Sequence, residues 1–416
     1  MKLITLIFLI FFASAGKAFA REDENQTANV IGYSSTIESN ILGESREISI
    51  YLPDGYSEKK KHYPVLYVLD GQRYSLQAIA YQKALLFQDK SPEFIVVGIN
   101  TNSRKRRNLL DNQSIKFINF IKKELFPFIN TRYRTNNMQM YFGWEMAGGF
   151  ALEFFASEPD LFNAYFLASP THFTKQRLDA VESFLQEHTS PLDVYFYYTL
   201  GNVETWSLDS NQKLSEILKK SSIPQQNWRF DLSNSDDHYT TPFNAFNKGL
   251  KLYFSDYEPI RFYSIKEFKE YGGISALRRH YKNRGKRYQI SQDIHEDTKH
   301  YLLNQALKES DYAIFNELNL EFKDFITDYY KRAFWYVKYS NFHLENGNPE
   351  AALLLLNTGL IKFPDSAEIY AALGNLYLQQ NKKAEAKSSY QKAIKFSVGD
   401  SEDKIEAYKL KLKNVL

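Results

Sequence analysis

The chain contains no cysteine. That excludes disulfides, a thiol nucleophile and a cysteine-borne lipid anchor. Stability must come from packed cores, which 416 residues can supply, and that length suggests two or three domains. Charge of one sign is also lacking. The 52 Lys and Arg against 49 Asp and Glu leave a net +3, with no field that would gather nucleic acid. No metal-ligand spacing and no sign of a bound cofactor is present, so neither is expected. The apolar run Leu3–Phe12 is too short to span a bilayer comfortably. With Lys2 before it and Ala18-Phe-Ala20 behind, residues 1–20 read as a signal peptide cleaved after Ala20. The expected location is periplasmic or secreted, in a bacterium, with no membrane span after cleavage.

One further absence is more telling. Met140-Tyr-Phe-Gly-Trp-Glu-Met-Ala-Gly-Gly149 has the shape of a nucleophile elbow, written G-x-S-x-G, without its serine. Small residues belong two before and two after the nucleophile, because the turn brings backbones very close. Gly143 and Ala147 take those places, and the centre is Glu145. The flanks agree: Asn137–Phe142 reads as a strand, Gly149–Ala156 as the following helix, and Ala164–Ser169 as the next buried strand. Strand, turn, helix and strand are the context an elbow demands. The implied fold is α/β-hydrolase, a mostly parallel sheet flanked by helices, over residues 21–255.

The chain resembles the siderophore-esterase-like α/β-hydrolases, the enterochelin esterase relatives, with C-terminal tetratricopeptide repeats. The resemblance rests on Arg46–Tyr56, Tyr63–Gly71, Phe120–Ile129 with Tyr133-Arg134, Leu167-Ala-Ser-Pro170 and Asp236-Asp-His-Tyr239, in that order. Most members of the family carry G-H-S-x-G-G where this chain has Gly143-Trp-Glu-Met-Ala-Gly148. The resemblance places the general base at His238, after the strand 228–232 and before a helix over 242–254. The acid partner falls at Glu204, with Asp209 as its rival. Chain order is then elbow, acid, histidine. The oxyanion donors would be the amide of Met146 and those of the loop at Gly71 and Gln72. Asp70 is expected to brace that turn, and Ser169, lacking an elbow, is not expected to replace the nucleophile. Arg104-Lys-Arg-Arg107 reads as a solvated basic loop.

Beyond Ser255 the alternation of strands and helices gives way to continuous helical periodicity. A helical connector is expected over 256–300 and a repeat domain over 301–416. Tyr370, Leu373, Gly374, Tyr377, Ala386, Tyr390 and Ala393 fit the 34-residue tetratricopeptide signature. One period earlier, Tyr336, Tyr339, Ser340, Ala352, Leu356, Gly359 and Pro364 do the same. A weaker copy is expected over 302–331, and a capping helix over 405–416. Aromatics are abundant, with 32 Phe and 30 Tyr, but they suit strands, ligands and repeats alike.

Whether the chain is an enzyme stays open at this point. A glutamate at the elbow sits at a helix N-terminus, where a carboxylate is favoured, and is expected to pair with His238 and to reach the oxyanion amides. Three readings follow. The chain is a pseudo-hydrolase that binds a siderophore-like or ester ligand, or a peptide or protein partner through its repeats. Alternatively, His238 activates water for ester hydrolysis without a covalent intermediate. In the third, Glu145 itself is the nucleophile. The first is the reading adopted.

Overall fold

The computed structural model describes residues 29–87, 89–101 and 104–415. The expected signal peptide, residues 1–20, lies outside them. Eight strands form one sheet: β1 (Tyr33–Ser39), β2 (Glu44–Tyr51), β3 (Tyr63–Leu69), β4 (Ile95–Ile99), β5 (Thr135–Trp144), β6 (Ala164–Ala168), β7 (Tyr195–Gly201) and β8 (Trp228–Ser233). Their order is β1-β2-β4-β3-β5-β6-β7-β8. β1 and β2 pair antiparallel, as do β2 and β4, and every later pairing is parallel. All residues of β3, β4, β6 and β7 are buried. That is what a sheet covered on both faces requires, and why these segments read as unbroken apolar runs.

Alternate side chains of β5 feed two cores. Tyr141 packs with Tyr67, Phe150, Phe154 and Tyr165 on one face. Met140 and Phe142 pack with Leu66, Phe166, Phe246 and Leu250 on the other. The covering helices on the first face include α2 (Arg106–Leu110), α3 (Ser114–Phe120), α4 (Phe126–Arg132), α5 (Met146–Ser157) and α6 (Lys175–Glu187), with a π-turn at Ile121–Leu125 joining α3 to α4. α1 (Gly71–Leu86) and α8 (Thr241–Tyr253) lie on the second, and α7 (Thr205–Lys219) follows β7. The resemblance begins at Arg46. The sheet begins one strand earlier, with β1 as a largely polar edge strand that buries only Ile37 and Ser39.

Ten helices follow the sheet among the described residues: α9 (Ile265–Glu270), α10 (Gly273–Tyr288), α11 (Glu296–Lys308), α12 (Tyr312–Glu321), α13 (Phe325–Tyr329), α14 (Ala333–Glu345), α15 (Pro349–Lys362), α16 (Ala367–Gln379), α17 (Lys383–Phe396) and α18 (Glu402–Lys413). Small residues set the spacing of the hairpins. A Cβ on Gly374 would stand 2.5 Å from the Tyr390 ring, so α16 and α17 meet ring against backbone. Asn348 caps α15 and Ser366 caps α16, each side chain accepting from the amide three residues on. The segment expected as a weak repeat, 302–331, takes in the second half of α11, then α12 and α13. No helix among the described residues is long and apolar enough to cross a membrane.

Candidate active site

β5 delivers the elbow to the carboxyl edge of the sheet, where open α/β sheets place their ligands. Glu145 has φ 56° and ψ −119°, a conformation that costs a residue with a Cβ on the order of 1–3 kcal/mol. Close packing holds it there. A Cβ on Gly143 would meet the Ala147 carbonyl at 2.7 Å, and one on Gly148 would meet Pro170 at 2.5 Å. The backbone is tied on both sides: Glu145 N–H donates to Ala168 O (3.0 Å), while Glu145 O accepts from the amides of Gly148 (2.9 Å) and Thr171 (3.1 Å). The elbow's geometry is complete, with a carboxylate at its apex.

That carboxylate is not paired as the sequence reading expects. Glu145 Oε2 accepts from Arg106 Nη1 at 2.5 Å, whereas His238 Nδ1 meets Glu204 Oε1 at 2.6 Å. The expected Glu145–His238 pair is replaced by two separate pairs. The cause lies in Arg106, whose planar fork satisfies three groups at once. Its Nε donates to Asp70 Oδ1 (2.8 Å) and Oδ2 (3.0 Å), and its Nη2 donates to Trp144 O (2.9 Å). The guanidinium also lies 5.5 Å from the centre of the Trp144 ring. Burial works against its charge, but Asp70 and Glu145 more than offset that and raise its pKa above the ordinary value.

Arg106 therefore corrects the reading of Arg104–Arg107 as a solvated loop, since its side chain is only 15% exposed. Asp70 and Glu145 precede the first residues of α1 and α5. Two carboxylates thus stand at two helix N-termini, each favoured by the local dipole, and one guanidinium bridges them. Asp70 adopts a left-handed conformation (φ 56°, ψ 43°) and also accepts from the Thr101 hydroxyl. It braces its turn.

The other half of the site is an acid–base pair. Glu204, fully buried, accepts from Ser169 Oγ at 2.6 Å and from the Gly201 amide at 2.8 Å, besides meeting His238. Burial raises its pKa, but the bonds from His238, Ser169 and Gly201 outweigh this and hold its carboxyl below the ordinary 4.5. With a carboxylate at Nδ1, the neutral form of the imidazole carries its proton there and leaves Nε2 unprotonated. Of the two acid candidates it is Glu204, not Asp209, that hydrogen-bonds His238. Ser169 is spent on Glu204 and on the Thr241 hydroxyl (2.6 Å). Trp144 ties the two halves together: its Nε1 donates to His238 O at 2.8 Å, and its ring lies 4.9 Å from the imidazole.

Met146, Gly71 and Gln72 are the opening residues of α5 and α1, where amides have no partner within their helix. The Gln72 side chain is turned to the Thr101 backbone, donating to its oxygen (2.9 Å) and accepting from its amide (3.1 Å). His172 was missed by the sequence reading. It is held at φ 59°, with Nδ1 2.7 Å from the Thr171 hydroxyl, and burial lowers its pKa although Glu145 nearby pulls the other way. Exposed Trp206 and Tyr239 flank His238. Among the described residues no group of three or more His, Asp or Glu is placed to hold a metal ion.

The family model described as "Putative esterase" matches residues 39–248, half of the chain. The chain belongs to this esterase family. A tetratricopeptide-repeat model matches residues 343–402, so the esterase domain is followed by such repeats. Among solved structures, an IroE-like serine hydrolase from Shewanella oneidensis superposes with a TM-score of 0.51 at 21% identity, covering 70% of this chain and all of that one. An uncharacterised protein from Capnocytophaga ochracea reaches 0.55 at 17% identity, covering 92% of this chain and 99% of the other. The siderophore hydrolase EstB from Aspergillus nidulans gives 0.47 at 17% identity, over 56% of this chain and 99% of its own. At identities this low, the first two likenesses establish the fold alone. A search of the curated proteins returns no match.

Proposed function

We propose that this member of the esterase family is a pseudo-hydrolase, a protein that keeps the hydrolase pocket for binding and has lost the covalent step. One observation carries the reading: the Arg106 guanidinium bridges Glu145 and Asp70 across the starts of α5 and α1. A carboxylate ion-paired in this way is a poor nucleophile, and its attack on an ester would yield an anhydride. Loss of a triad member alone lowers turnover by several orders of magnitude in well-studied hydrolases.

The repeats supply the surface for a protein or peptide partner, and the pocket that for an ester or siderophore-like ligand. The protein is exported, by way of the leader at residues 1–20, and is organised as 21–255, 256–300 and 301–416. A second reading is favoured by the retained His238–Glu204 pair. In it Nε2 takes a proton from water as the oxygen adds to an ester carbonyl, Glu204 stabilises the imidazolium, and the adduct then collapses with cleavage of the acyl C–O bond, the imidazolium returning the proton to the departing alkoxide. Turnover on a panel of carboxylic esters tests both. Hydrolysis abolished by His238→Ala favours the second reading, and its absence in the parent supports the first.

A further inference from the structure

A cavity lies at the opposite end of the sheet, between the amino edges of β3 and β5 and the end of α10. Its enclosed part, about 240 Å³, is walled by Pro64, Pro92, Met138, Tyr257, Tyr288 and Ile290. Through His62, Asn136, Met138 and Gln289 it continues into a second space of about 380 Å³ that reaches Arg287. Together they are of the size that holds a small organic ligand. The walls are rigid: the Tyr257 and Tyr288 rings meet edge to face at 4.9 Å, and Tyr288 Oη donates to Asp256 Oδ1 at 2.5 Å.

The polar lining is biased towards cations. Glu93, the one carboxylate of the lining, is already paired with Lys59 and Lys61. Lys60 and His62 have no partner among the described residues. Arg287 is spent on Asp256, the Tyr195 hydroxyl and the Tyr253 carbonyl, so it holds the wall and leaves the free positive charge at Lys60, with the His62 imidazole near it in the lining. On the far side of Glu93 and Tyr257 runs a wider groove of mixed charge, where Asp54 and Asp89 stand with Lys61 and Lys83, so the unpaired Lys60 sets the bias. An anionic head is therefore favoured at the His62 end and an apolar body against the tyrosines.

We propose that this cavity binds an organic anion with an aromatic or short aliphatic body, seated between the esterase sheet and α10. The function argued for the elbow neither requires this site nor predicts it. Such a ligand touches both sides of the seam and binds only the folded chain, so it raises the melting temperature.

The test is fluorescence titration of the full chain with anilinonaphthalene sulfonate, an aromatic anion, beside the neutral N-phenylnaphthylamine. Saturable single-site binding is expected, weakened about tenfold by the surface double substitution Lys60→Glu/His62→Glu, as reversal of one partly screened charge and addition of a second carboxylate imply. Met138→Trp, which fills the cavity, removes binding, and Glu145→Gln leaves it unchanged. The neutral analogue binds more weakly by a similar factor. Circular dichroism melting of each variant establishes that it is folded; should Met138→Trp not fold, the exposed double substitution decides alone. Equal affinity for the neutral analogue, or binding that ignores Lys60→Glu/His62→Glu in a folded protein, overturns the proposal.

Discussion

Replacing Arg106 by methionine keeps an apolar stem over Trp144 and deletes the charge that joins Asp70 to Glu145. The side chains of Arg106 and Asp70 are 15% and 4% exposed. Removing one partner of so buried a pair costs about 3–5 kcal/mol, because the other charge is left uncompensated. Glu145 is 25% exposed, and solvent screening reduces its share to about 1 kcal/mol. The expected order of destabilisation is Arg106→Met, then Asp70→Asn, then Glu145→Gln, with about 3 kcal/mol for the first. Urea unfolding followed by tryptophan fluorescence would show this as a midpoint lowered by about 1–1.5 M, for a slope near 2–3 kcal/mol/M. A double-mutant cycle of Arg106→Met with Asp70→Asn should return a coupling of at least about 1.5 kcal/mol. A loss below about 1 kcal/mol, or strict additivity, would refute the bridge as the organiser of this site.

Three further outcomes are expected. Glu145→Gly should be more stable than Glu145→Ala by about 1 kcal/mol or more, since both lose the ion pair but only glycine relieves the backbone at φ 56°, ψ −119°; equal melting temperatures would argue against strain. Burial lowers the pKa of His280, His295, His300 and His343 below the ordinary 6.5. The unfolded chain then binds more protons than the folded one, so stability of the helical region is present above about pH 6.5 and lost as pH falls below it. The lowered Glu204 adds a loss below about pH 4.5, and a melting temperature flat from pH 7 to 4 would contradict both. Gly374→Ala should lower the unfolding temperature of the repeats, at a cost of about 1–3 kcal/mol, because its methyl would meet the Tyr390 ring; an unchanged melt would mean that the ring moves freely.

The elbow was legible because its constraints are local. Gly143, Ala147 and Gly148 are dictated by approaches within a single turn and its neighbour, and such approaches leave a spacing in the sequence. The repeats were legible for the same reason, since Tyr336 and Tyr370, like Ala352 and Ala386, stand one 34-residue period apart. Arg106 was not legible. Its partners are 36 and 39 residues away, and only the path of the chain between β4 and α2 brings it inward. A run of four basic residues carries no sign of which one turns in. The Glu145–His238 pairing failed in the same way, because a buried Glu204 had already claimed Nδ1 and a guanidinium stood closer to Glu145. β1 was overlooked because Tyr33-Ser-Ser-Thr-Ile-Glu-Ser39 is an edge strand, polar on its open side.

Labelling by a fluorophosphonate together with ester turnover, on the parent and on Glu145→Ser, tests the central claim most directly. A fluorophosphonate reacts only with an activated serine. The account predicts neither labelling nor turnover in the parent. It predicts partial labelling and turnover in Glu145→Ser, both lost on adding His238→Ala and both increased by Arg106→Met in the same background. Stoichiometric labelling of the parent, or hydrolysis by the parent at rates typical of serine esterases, would contradict it.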